Sequence, residues 1–194
     1  NGGSALAADG AAGMAILVTH LSAAAGAIVW MSIEWVKYGK PSALGAVTGM
    51  VAGLGTITPA SGFVGPAGGL LIGVSAGFVC FYATMFIQHT LKIDDSLDVF
   101  PVHGVGGALG TIMAGVLVSN ELGVFSGMGL AEGMTIGSQL MVQITGVVAV
   151  GAYTAVVTYV LLKIIDRITG LRVTAEEETS GLDVEYHNER GYDL

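Results

Sequence analysis

Long apolar runs separated by short polar connections set the plan of this chain. Five runs, 11–35, 42–58, 65–88, 98–118 and 136–164, read as membrane-spanning helices. About 20 apolar residues suffice to cross a bilayer as helix, and the second run is near the shortest length that does so. No charge falls between Leu140 and Leu162 in the fifth. The pattern predicts an all-α polytopic membrane protein in three parts. Residues 1–10 are the end of a preceding transmembrane helix and an outer loop, 11–165 are five transmembrane helices, and 166–194 are a polar tail.

Composition agrees with that class. Charged residues make up 11% of the chain, where a soluble domain carries about a quarter. The net charge of −8 is uneven, because the tail from Asp166 holds 8 acids against 3 bases. An acidic tail on an apolar body excludes nucleic acid as a partner. The single cysteine, Cys80, excludes an internal disulfide framework. With five spans, Lys37, Lys40, Lys92, Lys163, Arg167, Arg172 and Arg190 all fall on one side. The positive-inside rule makes that side cytoplasmic, so the chain start lies outside and the tail inside. The opening Asn-Gly-Gly-Ser-Ala-Leu-Ala-Ala has neither an initiator methionine nor a signal-peptide pattern. It reads as the end of an element begun earlier, so the chain is expected to be a piece of a longer one.

Glycines recur at four-residue spacing: Gly45, Gly49 and Gly53 in the second span, Gly65, Gly69, Gly73 and Gly77 in the third, Gly106 and Gly110 in the fourth. Small residues in such rows let helix backbones approach closely in lipid, and they predict a tight bundle.

Candidate chemistry centres on Asp94-Asp95-Ser96-Leu97-Asp98-Val99-Phe100-Pro101-Val102-His103-Gly104-Val105-Gly106-Gly107. An imidazole inside a membrane span marks a functional site unless a partner satisfies it. On a regular helix His103 shares its face with Val99, Gly106, Gly107, Gly110 and Ala114. Asp98, followed by Val99, Phe100 and Pro101, reads as a helix N-cap with proline in the first turn. His103 then lies about 7 Å inside the helix start. Either Asp98 lines an aqueous vestibule or the helix begins below the membrane surface. His20 reads as structural, satisfied at a small-residue helix interface, and His89 as ordinary interfacial polarity. Trp30 and Trp35 read as interface anchors, and Cys80 and the methionines as packing. No metal-ligand cluster, phosphate-binding loop or nucleophile triad is visible in the sequence, so neither an enzyme nor a cofactor is expected.

These segments resemble the ammonium transporter family, which includes the methylammonium permeases and Rhesus glycoproteins. The resemblance rests on Asn1-Gly2-Gly3-Ser4-Ala5, on Gly39-Lys40-Pro41-Ser42-Ala43-Leu44-Gly45, on Ile57-Thr58-Pro59-Ala60, and on the histidine segment. Gly170-Leu171-Arg172-Val173 and Gly181-Leu182-Asp183-Val184 resemble the tail of the bacterial branch. The resemblance implies the C-terminal half of an eleven-helix, inverted-repeat fold that assembles as a homotrimer with one pore per subunit. The N-terminal half would supply a second pore histidine.

By resemblance, His103 is a pore histidine and Ser4 an outer-mouth residue that meets ammonium. Asp95, Asp98, Val99, Phe100 and Thr58 would support the pore, with Thr58 and Phe100 shaping the inner vestibule. The implied activity is ammonium capture, deprotonation, and passage of ammonia through a hydrophobic pore in the plasma (inner) membrane. Gly181, Leu182 and Asp183 would form a regulatory tail that helps position a PII-type signalling protein. Glu185 stands where plant relatives carry a phosphorylatable threonine, which leaves Thr179 and Ser180 as alternatives. The rival expectations are a Rhesus-type ammonia or gas channel and an ammonium sensor that signals through its tail.

Overall fold

A computed structural model describes residues 1–192, which contain helices and no strand. The helices are α1 (Gly10–Tyr38), α2 (Ala43–Ile57), α3 (Pro66–Met85), α4 (Gly106–Leu117), α5 (Ile136–Ile168) and α6 (Ala175–Ser180). A π-helical turn, Phe86–Thr90, extends α3, and another, Phe100–Val105, leads into α4. Local chemistry sets the boundaries. The Asp9 carboxylate accepts from the backbone N–H groups of Ala11 and Ala12 and starts α1, while Gly39, at φ +79°, ends it. The Ser42 hydroxyl caps α2, and Pro66 opens α3, where a missing N–H costs nothing.

The chain packs as two units, Asn1–Val147 and a second beginning at Val148, so the division falls inside α5. The change of composition at 165/166 lies further along the chain.

In the first unit, α1 is held between α2 and α3, and the glycine rows fix the register. A Cβ on Gly45, Gly49 or Gly53 would strike Glu34, Trp30 or the Ser22 backbone in turn, so α2 runs antiparallel to α1. Gly69, Gly73 and Gly77 meet Val18, Ser22 and Val29 in the same order, so α3 runs parallel to it. Gly106 and Gly110 pack on Thr56, and Gly65 lies against Ser126. Ser22 is fully buried where α1, α2 and α3 meet, and its hydroxyl donates to the Gly53 carbonyl at 2.8 Å. That bond removes the cost of burying the hydroxyl. One apolar cluster joins Val18, Ile57, Val64, Ile72 and Leu117; another joins Trp30, Ala52, Cys80, Phe81 and Val102. Trp30 is therefore not the interface anchor that its sequence position suggested. It is 4% exposed and packs edge-on to Phe81 at 5.1 Å, while Trp35, five residues on, is exposed.

Among the described residues, four helices are long and apolar enough to cross a membrane, by length and composition: Gly10–Tyr38, Pro66–Thr90, Phe100–Leu117 and Ile136–Ile168. The second expected span is the exception. With 15 residues, α2 reaches only about 22 Å. The chain continues through turns closed by Ala60 N–H to Ile57 O and Phe63 N–H to Ala60 O, both 2.8 Å. No residue of α5 is buried.

In the second unit, Thr174 and Glu177 form a reciprocal capping box at the start of α6. The Tyr186 hydroxyl donates to Glu177 at 2.9 Å, and Arg172 pairs with Glu178 at 3.0 Å. The Thr174 backbone N–H, the Thr174 hydroxyl and then Tyr186 hold the Glu177 carboxyl below its ordinary range. Gly181, at φ +100°, closes α6 by donating to the Glu177 carbonyl. Leu182 is exposed and Asp183 opens a π-helical turn.

Candidate functional site

The site is built where the chain re-enters the bundle after α3. A helix start leaves backbone N–H groups without partners inside the helix, and each must find one. The Asp95 carboxylate takes two of them, from Val99 at 2.9 Å and Phe100 at 2.8 Å. Pro101 has no N–H to satisfy. The Val102 N–H bonds to the Asp98 carbonyl at 3.0 Å. So Asp95 provides the capping side chain, which corrects the assignment of that role to Asp98. The Asp98 carboxylate instead accepts from the Gln88 amide at 2.7 Å, and its backbone is left-handed, at φ +54°.

The π turn then alters which side chains share a face. A π turn closes i→i+5 bonds, so each residue advances by less than the roughly 100° of an α-helix. Val102, Gly106, Gly110 and Ala114 form the buried row against the neighbouring helices, and His103 is swung off it and exposed. The regular-helix expectation that His103 shares a face with Gly106, Gly110 and Ala114 is thereby corrected. A Cβ on Gly107 would meet nothing within 4 Å, so the open side continues past the ring. On the other side, His103 Nδ1 lies 3.7 Å from where Gly55 would carry a Cβ, so a larger residue at 55 would press on the imidazole. The Phe100 ring covers Gly104, within 2.9 Å of a Cβ position there, and is itself exposed, as is Val99.

Thr58 and Phe100 do not share one vestibule. Thr58 lies one turn beyond Gly55 and accepts from the Asn1 amide at 3.4 Å, whereas Phe100 lies before His103, on the Asp98 side. They flank the imidazole from opposite ends. Ser4 belongs to the short turn Gly3–Ala5 at the Asn1 end, away from Asp95 and Asp98. Asn1 also donates to the Thr19 hydroxyl at 2.9 Å. Beside it a cavity of about 390 Å³ is lined by Thr19, His20, Met50 and Leu54. His20 faces that cavity and is exposed, rather than buried at a helix interface.

The structure thus gathers His103, Gly55, Phe100, Asp95, Asp98 and Gln88, and leaves Ser4 and Thr58 at the other end. Gly55 and Gln88 were not picked out from the sequence. Gly55 stands outside the four-residue row of α2, and that displacement is the available signal. Gln88 is a lone amide near the end of an apolar run, ten positions before Asp98 in the sequence.

These features define a polytopic α-helical membrane protein whose glycine-packed bundle presents an imidazole on its open side. The model of the Ammonium Transporter Family matches residues 1–192, and the chain belongs to that family. It is 44% identical over 192 residues to ammonium transporter Amt1 of Archaeoglobus fulgidus, covering 99% of this chain and 48% of that protein. It is 40% identical over 192 residues to the ammonium transporter of Bacillus subtilis, covering 99% and 47%. The chain therefore spans about half the length of the curated relatives it matches. Among solved structures, one described as a sensor Amt protein superposes with a TM-score of 0.85 at 32% identity, over 96% of this chain and 44% of that one. Saccharomyces cerevisiae Mep2 superposes with a TM-score of 0.79 at 35% identity, over 91% and 40%.

Proposed function

We propose that this chain forms half of an ammonium transporter and contributes one imidazole of a hydrophobic pore. The observation that carries the proposal is the setting of His103: exposed on the open side, backed by Gly55 and followed by the bare face at Gly107. The partner half supplies the second imidazole. A neutral ring offers one donor and one acceptor nitrogen, so two rings can bond to each other and still meet passing ammonia. Ammonium reaching the Ser4 end loses its water, and desolvation disfavours the charged form. Ammonia then passes His103 toward the Phe100 and Asp98 side, and the released proton crosses separately, so that each ammonium taken up moves one net charge. Hydrated metal cations are excluded because a dry, narrow path offers too few ligands to replace their water.

On this proposal the chain works without catalysing a covalent reaction. It assembles with its other half into a homotrimer in the plasma (inner) membrane, with Asn1 outside and the acidic tail in the cytoplasm. Gly181, Leu182 and Asp183 belong to a tail that regulates the pore and helps position a PII-type protein. A second reading, ammonium sensing, takes support from the neighbour described as a sensor. Ammonium-evoked current separates the two, because a pure sensor carries none.

The test is a chimera in which residues 1–192 replace the matching part of the Archaeoglobus fulgidus relative. The parent chimera should give ammonium-evoked current in proteoliposomes. His103→Ala should lose selectivity for ammonium over potassium, and His103→Glu should keep some flux because it still accepts hydrogen bonds. Unchanged flux and selectivity in His103→Ala overturns the pore assignment.

A further inference from the structure

We propose that Gln88 is the positioning residue for His103: its side-chain amide clamps Asp98 in a left-handed conformation and so sets the π turn that carries the imidazole to the open side. The inference rests on the pore reading of His103. It begins with the left-handed backbone of Asp98, at φ +54°. An aspartate tolerates that region better than most residues, but it stays there only where its surroundings hold it.

What holds it is visible. Asp95 has taken the capping bonds of Val99 and Phe100, which leaves the Asp98 carboxylate available to the preceding helix. Gln88 Nε2 donates to Asp98 Oδ1 at 2.7 Å and reaches the Asp95 carbonyl at 3.4 Å. Both partners are acceptors, so only the NH₂ end of the amide can face them. The Asp98 N–H also bonds to the Asp95 carbonyl, at 3.2 Å. One amide therefore grips both ends of the turn 95–98. Gln88 is itself part of the π turn that ends α3, so two wide turns face each other across one hydrogen bond.

The consequence for His103 follows from helix geometry. With Asp98 left-handed, the helix opens as a π turn, Val102 stays in the buried row and His103 stands clear of it. If Asp98 relaxes to the right-handed region, the first turn can close as ordinary α-helix. His103 then advances about 100° per residue back toward the Gly106–Gly110 row. Gln88 suits the clamp because it satisfies a carboxylate without placing a cation beside the pore.

The experiment uses the full-length chimera. Gln88→Met keeps the length and removes the donor, and ammonium current should fall roughly tenfold or more, as expected when a working group is misplaced. Glycine adopts the left-handed region without help, so Gln88→Met with Asp98→Gly should restore most of the current. A cryo-EM map of Gln88→Met should show residue 98 at negative φ and the His103 ring turned onto the glycine row. A ring in place with current lost overturns the clamp and leaves the pore reading standing. A displaced ring with current unchanged upholds the clamp and overturns the pore reading. Full current with the ring in place also overturns the clamp. If Gln88→Met fails to assemble, the double variant should assemble; failure of both overturns the proposal.

Discussion

Gly53 and Gly146 both sit inside apolar helices, yet they do opposite work. A Cβ on Gly53 would run into the backbone of Ser22 and Ala23, whereas one on Gly146 would meet nothing within 4 Å. The same holds for Gly151, and more widely for the packed helices of the first unit against α5, where no residue is buried. Glycine content alone does not make a tight bundle. What matters is a row at four-residue spacing matched by a complementary row on a neighbour, as Gly45, Gly49 and Gly53 match Glu34, Trp30 and Ser22.

The strongest way to break this contrast is to add atoms. Gly53→Val and Gly110→Val place side chains into backbone, which cannot yield as a flexible side chain can. Both should abolish folded, monodisperse protein in detergent chromatography, while Gly146→Val should leave its yield and profile unchanged. Removing atoms comes next. Trp30→Ala should destabilise by about 3–5 kcal/mol, the usual cost of emptying a buried aromatic site. Tyr153→Ala on exposed α5 should stay within about 0.5 kcal/mol in the same unfolding assay.

Two caps sharpen the comparison at smaller scale. Asp95→Ala should cost about 1 kcal/mol, the usual worth of a cap. The damage should spread to His103, because the α4 start is packed into the bundle; Asp95→Asn should retain most of the stability. Thr174→Ala removes a hydroxyl cap in the tail, yet it should only speed amide exchange at 175–180. The tail cap should also fade with acid. Glu177 is held below its ordinary range by Thr174 and then Tyr186, so its contribution is full above that range. It is lost as pH falls through the lowered value. Amide exchange of α6 measured against pH checks the direction: protection that rises on acidification would contradict it.

Four of the five apolar runs predict α1, α2, α3 and α5 to within a few residues, and the fourth opens as the π turn Phe100–Val105 before α4, because an apolar run of that length has few other ways to satisfy its backbone. The brevity of α2 was legible too, in the short second run. What escaped prediction was conformational rather than compositional. Asp95 and Asp98 are equally good caps by residue type, and only the left-handed backbone at Asp98 decides between them. The π turn left no mark in the hydrophobic period, so the regular-helix rule put His103 on the wrong face. Thr58 is different, because counting spans from Lys40 already put it at the opposite end of the bundle. Trp30 lies eight residues before the end of α1, deep enough for burial.

The matched glycine rows also constrain inheritance. Every single-base change that replaces a glycine codon by another amino acid adds a Cβ, because no smaller residue exists. At Gly49, Gly53, Gly73 and Gly110 that first added atom already falls on a neighbouring backbone. A lineage cannot drift through such positions one substitution at a time. It can leave them only together with the helix opposite, so the closest contacts in the bundle should be among its slowest to change.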